Sequence, residues 1–286
     1  MTKWEIGSKW GRLLTWVLEV VSVCVIVWLC NYIIKQGVVI QTAVKMPYMS
    51  IQHSEEVPLW SRINIESHFY DENGNSIVQE SRIDPEKPMV ALTFDDGPGP
   101  YTEDLLDILE QYDARATFFM LGSNINYYPD AVLRMKELDC EYGNHTLNHK
   151  NLPKLKVPAI KRQLGITDAR LKKITGETTT LIRPPYGEVN VKVQKVAKTP
   201  ILLWSMDTLD WKKKDAKKVA KYVMKHVEDG DIILLHDIHK TSVEAVEIIL
   251  PKLIKKGYQI VTVSEMAEAR NVEMKAGEKY FAFYPE

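Results

Sequence analysis

The sequence predicts a parallel α/β fold that is closed or nearly closed. From about residue 88 onwards, six or seven short apolar segments alternate with segments of helical periodicity. These apolar segments are continuous, as in strands that are covered on both faces. Polar residues suited to chemistry follow the ends of several segments, and folds of this class bind ligands at the carboxyl ends of their strands.

Each predicted element is a periodic segment bounded by turn residues. Strands are predicted over residues 89–94, 116–121, 140–143, 181–183, 200–206, 231–236 and 258–263. Helices are predicted over residues 101–112, 128–138, 158–174, 215–227 and 243–256. Thr102 is the expected N-cap of the first helix, and Gly257 ends the last one.

Length and composition are those of a globular protein. The chain has 286 residues, of which 45% are hydrophobic and 26% are charged. Its formal net charge of -1 gives no whole-chain reason to expect nucleic acid as a partner. No protein partner is predicted from the sequence.

The N-terminal segment departs from this pattern. Residues 13–34 are almost entirely apolar, and a bilayer is spanned by roughly 20 such residues. A buried core helix or a cleaved signal peptide are the alternatives, but the stretch exceeds the roughly 7–15-residue core of a signal peptide. The basic residues Lys3, Lys9 and Arg12 precede it. We therefore expect one transmembrane anchor in the cell membrane with the N-terminus in the cytoplasm.

The remaining chain divides into regions by composition. Residues 1–12 are predicted to be a short cytoplasmic N-terminus. Residues 35–87 are predicted to be an extracellular stalk that contains one hairpin, with turn signals at Asn73-Gly74 and Asp84-Pro85. Residues 88–270 form the main α/β domain, and residues 271–286 are predicted to be a tail on its surface.

The cysteine content limits the chemistry of the exported part. Cys24 and Cys30 lie in the predicted anchor, and Cys140 lies beyond it. The exported part therefore cannot form an internal disulfide. Cys140 is predicted to be a small buried apolar residue rather than a nucleophile.

Two carboxylates and two imidazoles form a candidate metal site. Asp95 and Asp96 follow the first apolar strand, although such a pair before glycine often only makes a turn. His145 and His149 are four residues apart, a spacing that places both rings on one face of a helical turn. With Asp96 they form a set of two histidines and one carboxylate, suited to Zn²⁺ and similar divalent ions.

A hydrolytic metal site also needs a base for the attacking water and an acid for the leaving group. Asp95, beside the proposed ligand Asp96, is the candidate base. His236, at another strand end, is the candidate acid, with Asp210 to orient it. Arg183 is a candidate to hold Asp95 ionised through a bidentate pair.

Five short motifs occur in register over roughly residues 88–265 and together resemble the polysaccharide deacetylases, the NodB-like carbohydrate esterases. They are Thr93-Phe-Asp-Asp-Gly97, His145-Thr-Leu-Asn-His149, Arg183-Pro-Pro-Tyr-Gly187, Asp207-Thr-Leu-Asp-Trp211 and Leu234-Leu-His236. The resemblance implies a distorted (β/α) barrel of the polysaccharide deacetylase type. The transmembrane helix predicted from residues 13–34 would precede this barrel. It implies a divalent metal, usually Zn²⁺ with Co²⁺ or Mn²⁺ as alternatives, held by Asp96, His145 and His149.

The same resemblance implies roles for the other motif residues. Asp95 would be the general base and His236 the general acid, positioned by Arg183 and tuned by Asp210, respectively. The backbone N–H of Tyr186 would help to stabilise an oxyanion. Trp211 and Leu234 would line a pocket for the acetyl methyl group.

For an anchored, exported member, the resemblance implies hydrolysis of N-acetyl groups on cell-wall glycan. The sugar would be an N-acetylglucosamine or N-acetylmuramic acid residue of peptidoglycan, with N-acetylglucosamine as the first candidate. One alternative is a deacetylase or O-acetyl esterase acting on another extracellular polysaccharide, which could be chitin-like, xylan-like or capsular. Another is a non-catalytic glycan-binding membrane protein, against which the intact catalytic motifs argue. A non-haem iron oxygenase uses the same ligand types but needs no second aspartate. The basic run at Lys212–Lys214, Lys217 and Lys218 is interpreted as a solvated face, with binding of an anionic wall polymer as the alternative.

Overall fold

The computed structural model describes residues 69–70, 76–77 and 82–285. They all belong to one compact unit, His68–Glu286. The predicted cytoplasmic N-terminus, the anchor and most of the stalk lie outside the described residues. Within the part of the chain that is described, no helix is long and apolar enough to cross a membrane.

The described elements alternate largely as the sequence predicts. The strands are β1 Phe69–Tyr70, β2 Ser76–Ile77, β3 Met89–Asp95, β4 Thr117–Met120, β5 Glu141–Asn144, β6 Leu181–Ile182, β7 Ile201–Leu202, β8 Met206–Asp207, β9 Ile232–His236, β10 Gln259–Val261 and β11 Lys279–Tyr280. The helices are α1 Thr102–Gln111, α2 Gly122–Ile125, α3 Pro129–Glu137, α4 Val157–Thr175, α5 Val191–Val196, α6 Asp210–Lys213, α7 Ala216–His226, α8 Lys240–Lys255 and α9 Val263–Ala269. Strands β1 and β2 form the antiparallel hairpin predicted in the stalk.

Strands β3 to β11 form one sheet, in the order β11-β7-β6-β5-β4-β3-β9-β8, and all their pairings are parallel. Strand β10 pairs with the first half of β3, and β4 pairs with the second half. Among the described strands, the two at the ends of the order do not pair with each other. The sheet is therefore an open half-barrel.

The predicted strand over residues 200–206 is wrong, because it is two strands at different places in the sheet. Strand β7 pairs with β6 and β11, whereas β8 pairs with β9 at the far end of the order. The four residue-to-residue steps from Leu202 to Met206 can span at most about 14 Å. The two ends of the sheet must therefore lie close together, which curls the sheet around its interior.

Alternate residues of β3 pack into different cores. Val90, Leu92 and Phe94 belong to one buried cluster, and Met89 and Ala91 belong to another. The strand is buried along its whole length, as expected for a parallel strand that is covered on both faces. This confirms the interpretation of the continuous apolar run.

Two local predictions need correction. Thr102 is not an N-cap but the first residue of α1, whose N-cap is Tyr101. The Thr102 hydroxyl accepts from the N–H of Gly99 and donates to Oδ2 of Asp237. The C-terminal residues are not only a surface tail, because Lys279–Tyr280 pairs with β7 and Phe283 is buried.

Cys140 is a free, buried cysteine, as predicted. Burial raises the pKa of its thiol to about 12. The thiolate form that a nucleophile needs is therefore scarce at neutral pH.

Candidate active site

The two adjacent carboxylates lie at the carboxyl edge of the sheet. Asp95 is the last residue of β3 and pairs in register with His236 on β9. Asp96 follows with φ of 72°, in the left-handed region. Residues in such conformations persist where the surrounding structure holds them.

Asp96, His145 and His149 form the predicted ligand set. Oδ1 of Asp96 lies 3.5 Å from Nε2 of both histidines, and the candidate ligand atoms all lie within 4.8 Å of one another. Asp96 Oδ1 is buried and has no hydrogen-bond partner among the described residues. A buried carboxylate oxygen without a donor fits a cation bound between the three side chains.

The surroundings of the two imidazoles favour the forms that can bind a metal. Nδ1 of His145 lies 2.7 Å from the carbonyl oxygen of Arg183, an arrangement that places the proton on Nδ1 and leaves Nε2 free to bind a metal. Burial lowers the pKa of His149, and the neighbouring His145 lowers it further. A neutral ring is the form that binds a metal.

The expectation that a helical turn would carry this pair is wrong. Residues 145–149 form an irregular turn in which Thr146 and His149 have φ of 72° and 57°. The two rings nevertheless come together, with centroids 5.1 Å apart. The irregular turn therefore brings the two imidazole rings together, as a helical turn would have done.

Arg183 is buried and forms a hydrogen-bonded ion pair with Asp95. Its Nη1 donates to Oδ1 of Asp95 at 2.8 Å and to Oγ1 of Thr93 at 2.8 Å. Its Nε and Nη2 donate to the carbonyls of Leu202 and Leu203. The predicted bidentate pair with Asp95 is therefore wrong, because the second arm of the guanidinium holds the crossing from β7 to β8.

This arginine is fully buried. Burial lowers its pKa, and the carboxylate of Asp95 opposes that effect. Its guanidinium carbon also lies 4.0 Å from the centre of the Phe119 ring. The pair leaves Oδ2 of Asp95 free on the side of the metal set, 3.7 Å from Nε2 of His145.

Asp210 holds the imidazole of His236. Its Oδ1 lies 2.9 Å from Nδ1 of His236, and its Oδ2 accepts from the backbone N–H of His236 and the hydroxyl of Ser242. Burial alone would lower the pKa of His236, but the hydrogen bond and charge of Asp210 outweigh burial and raise the pKa to about 9. The ring is therefore protonated at neutral pH.

These groups line one cleft of about 450 Å³. It contains the predicted residues Asp95, Asp96, His145, His149, Tyr186, Trp211, Leu234 and His236. Arg183 and Asp210 lie behind it, where they hold Asp95 and His236. Tyr186 has φ of 65°, and its ring meets that of His149 edge-on. All the predicted site residues are thus brought together, and their chemical roles stay predictions.

The cleft also contains residues to which sequence reasoning gave no role. Trp204, Asp207 and His239 line it, and the ring of His239 lies 6.2 Å from that of His236. Trp204 lies in the crossing between β7 and β8, which the sequence predicted as part of one strand. Asp207 was visible as a residue of a motif, although no role was assigned to it.

Asp237 is a further buried acid beside the site. It is fully buried, and its carboxyl group faces Gly97, where a Cβ would lie 2.2 Å from Oδ2. Burial raises its pKa to about 7, against the effect of the hydrogen bond from Thr102. The turn that follows Asp96 thus packs directly on this side chain.

Fold and site together define an α/β protein with a candidate metal centre and an acid–base pair at the carboxyl edge of its sheet. A family model described as polysaccharide deacetylase matches residues 82–200. The chain is 38% identical over 187 residues to a peptidoglycan-N-acetylglucosamine deacetylase of Bacillus cereus, covering 62% of this chain and 87% of that protein. The chain belongs to the polysaccharide deacetylase family.

Two further similarities agree with this assignment. The chain is 42% identical to the peptidoglycan-N-acetylmuramic acid deacetylase PdaC of Bacillus subtilis, over 68% of this chain and 42% of that protein. It therefore spans less than half the length of that relative. A solved structure described as T48 deacetylase with substrate superposes with a TM-score of 0.67 at 38% identity, covering 69% of this chain and 99% of that one.

Proposed function

We propose that this protein is a metal-dependent deacetylase that removes N-acetyl groups from cell-wall glycan, with N-acetylglucosamine residues of peptidoglycan as its substrate. The observation that carries the proposal is the position of Asp95 and His236 on paired strands, in one cleft with the set Asp96, His145 and His149. The similarity to peptidoglycan deacetylases supports the substrate class.

Asp96, His145 and His149 would hold the metal, for which we propose Zn²⁺ because two imidazoles and one carboxylate suit it. When bound, such an ion supplies Lewis acidity, which acidifies water and polarises a carbonyl group. The buried and otherwise unpartnered oxygen of Asp96 supports this assignment.

Asp95 would act as the general base. Arg183 occupies its Oδ1, so Oδ2 is the atom that takes a proton from the attacking water. Because Asp95 is buried, bulk water competes little for this oxygen. The backbone N–H of Tyr186 would bind the oxygen that becomes negatively charged during attack on the amide.

His236 would act as the general acid. Its ring is protonated at neutral pH because of Asp210, and Nδ1 is engaged with that carboxylate. Nε2 is then the atom that gives its proton to the leaving sugar nitrogen, so that a free amine departs. Leu234 and Trp211 line the same cleft and would contact the acetyl methyl group.

We also propose that residues 13–34 anchor the protein in the cell membrane and place the catalytic domain outside the cell. The apolar length of this segment and the basic residues before it support the proposal. Cysteine labelling in intact cells tests it. A cysteine introduced at Ser123 should react with an impermeant maleimide, and one introduced at Ser8 should react only after lysis.

The activity is tested by measuring acetate and free amines released from purified peptidoglycan and from an N-acetylglucosamine oligomer. We expect zinc-dependent release that is abolished by a chelator and by Asp95→Asn. Acetylated xylan in a parallel assay detects the alternative ester hydrolysis. Acetate from xylan alone, or none from any substrate with zinc-loaded and folded protein, would refute the peptidoglycan proposal.

A further inference from the structure

A groove of about 700 Å³ lies along helices α7 and α8 and shares no lining residue with the candidate active site. Six exposed lysines line it: Lys217, Lys221, Lys225, Lys252, Lys255 and Lys256. The other lining residues are Ala220, Met224 and Ile248, so its floor is apolar and its lining holds no carboxylate. The groove is a concave site of one sign of charge in a chain whose net charge is only -1.

The spacing of these lysines opposes helix stability. Lys217, Lys221 and Lys225 are four residues apart and therefore stand in one row along α7. Lys252 and Lys256 repeat this spacing at the end of α8. Like charges at this spacing destabilise a helix. Two such rows on opposite walls of a groove therefore oppose folding unless an anion lies between them.

No described carboxylate forms an ion pair with any of these six lysines. Among the described residues, the lysines that form ion pairs are Lys87, Lys136, Lys218 and Lys240, none of which lines the groove. Within the groove, the ammonium group of Lys256 donates a hydrogen bond to the carbonyl of Met224, at 3.3 Å.

Helix dipoles do not explain the pattern either. The negative C-terminal end of a helix favours basic residues in the last turn, where Lys225, Lys252 and Lys255 lie. Lys217 lies instead in the first turn of α7, where the dipole disfavours a cation. Lys221 lies near the middle of the helix and gains nothing from either end.

The shape and chemistry of the groove select among anionic partners. A flat bilayer surface cannot follow a concave floor, whereas a single polymer chain can. The lining has no aromatic ring on which nucleic acid bases could stack. It also has no arginine, whose planar group would recognise one carboxylate or phosphate in two-point geometry. Lysines bind phosphate as point charges, which suits a repeating anion without fixed orientation.

We infer that this groove binds a linear polyanion whose charges are phosphodiester groups along a flexible polyol chain. The apolar floor contacts the carbon backbone of the polymer, and the two rows of lysines bind its phosphates. This binding holds the protein on an anionic matrix. It does not depend on deacetylase activity, since the two sites have different lining residues.

The test is the fluorescence anisotropy of a fluorescein-labelled poly(glycerol phosphate) oligomer titrated with the full-length chain. We expect binding that weakens steeply with salt, because the interaction releases counterions. Lys221→Glu/Lys252→Glu should weaken binding at least about tenfold at low salt, where charge contacts are least screened. The control Lys172→Glu/Lys173→Glu, with the same charge change on α4, should bind within about threefold of wild type.

A second variant separates binding from folding. Lys221→Gln/Lys252→Gln removes one charge from each row, so it should also weaken binding while unfolding at the wild-type temperature or above. Acetate release from an N-acetylglucosamine oligomer is measured on the same variants and should not change.

Three results would overturn the inference. They are no binding by the wild type at low salt, equal weakening in both glutamate variants, and tighter binding to phosphatidylglycerol vesicles or to a polyuronate than to the polyol phosphate. Because binding and acetate release are measured separately, loss of one leaves the other interpretable.

Discussion

Oδ1 of Asp210 lies 2.9 Å from Nδ1 of His236, and Oδ2 of the same carboxylate accepts from the backbone N–H of His236 and from Ser242. The carboxylate of Asp210 accepts from all of these donors, and this arrangement favours its ionised form. Burial disfavours the charge of Asp210, but these hydrogen bonds and the charge of His236 keep its pKa below the ordinary value. The buried anion in turn keeps a neighbouring imidazole protonated, which is what a general acid requires.

Asp210→Asn should move the alkaline limb of the activity profile to lower pH. In the wild type, a general acid with a pKa of about 9 loses its proton, and the enzyme its activity, as pH rises through 9. Without the hydrogen bond and charge of Asp210, burial is opposed only by the more distant Asp95 and Asp96, so the pKa of His236 falls. The measurement is kcat against pH between 5 and 10, expected to show a drop of about 10²–10⁴-fold at pH 8.

His239→Gln is the control for this assignment. His239 lines the same cleft, but burial lowers its pKa, so it cannot be the group that titrates near pH 9. We expect the alkaline limb of this variant to stay in place. A limb that moves in His239→Gln and not in Asp210→Asn would contradict the role of His236.

Arg183→Lys should lower both the stability and the activity of the protein, although it keeps the positive charge. Lysine offers one ammonium group, whereas the guanidinium group of Arg183 donates hydrogen bonds to Thr93, Asp95 and two backbone carbonyls. We expect a loss of about 2–4 kcal/mol in unfolding free energy from unsatisfied buried groups. A shift of Asp95 should lower kcat/KM about 10²-fold. Chemical denaturation and steady-state kinetics measure the two effects.

The matched control is Arg170→Lys. Arg170 makes one hydrogen bond, from Nη1 to the carbonyl of Gly122 at 2.7 Å, which a lysine can replace. Arg170→Lys should lower the unfolding free energy by no more than about 1 kcal/mol. If Arg183→Lys were as active and as stable as this control, the guanidinium fork would have no special role.

Much of the fold follows from the sequence because buried parallel strands leave continuous apolar runs, as at Met89–Asp95. The split of residues 200–206 does not follow from it, because an apolar run does not show where the chain changes strand partners. Strand β11 has two residues, Lys279–Tyr280, and only Tyr280 belongs to the short apolar run at residues 280–284. Its position depends on pairing with β7, a contact that local pattern does not encode.

The candidate site was predictable where residue type carries the chemistry. Two histidines, adjacent aspartates and a distant histidine at strand ends were sufficient to identify it. The left-handed backbone at Asp96, Thr146 and His149 was not predictable, since glycine signals that conformation strongly and Asp and His signal it only weakly. Asp237 was missed because a buried acid next to His236 looks the same in sequence as an exposed one.

Asp96→Asn should weaken metal binding without unfolding the protein. An amide oxygen is a poorer ligand than a carboxylate for a divalent ion, and Asp96 Oδ1 is the atom that both imidazoles face. In a thermal unfolding assay, zinc at about 100 times its Kd should stabilise the wild type by about 2.7 kcal/mol. We expect little zinc-dependent stabilisation of the variant.

Asp207→Asn removes the same charge from the same cleft and is the control for Asp96→Asn. Asp207 accepts from the N–H of Leu209 at 2.8 Å, a contact that an asparagine oxygen keeps. Its response to zinc should match that of the wild type. Equal loss of the zinc response in both variants would mean that cleft charge, and not ligation by Asp96, holds the metal.

Gly97→Ala should damage the site through Asp237. A methyl group at Gly97 would lie 2.2 Å from Oδ2 and 2.3 Å from Oδ1 of this fully buried carboxyl group. Either the turn that carries Asp96 or the strand end that carries His236 must then move. We expect a cost of about 1–3 kcal/mol in unfolding free energy. Because a shift of about 1 Å misplaces catalytic groups, kcat should also fall about 10²-fold.

Gly165→Ala is the matched control, and its expected effect has the opposite sign. Gly165 lies within the helix Val157–Thr175, and a methyl group there would meet nothing within 4 Å. Alanine in a helix interior is favoured over glycine by about 0.5–1 kcal/mol, so this variant should be more stable and equally active. Urea denaturation and acetate release on both variants provide the measurement. If Gly97→Ala were as stable and as active as Gly165→Ala, Asp237 would not constrain the turn after Asp96, and the metal ligand would be held by its own strand alone.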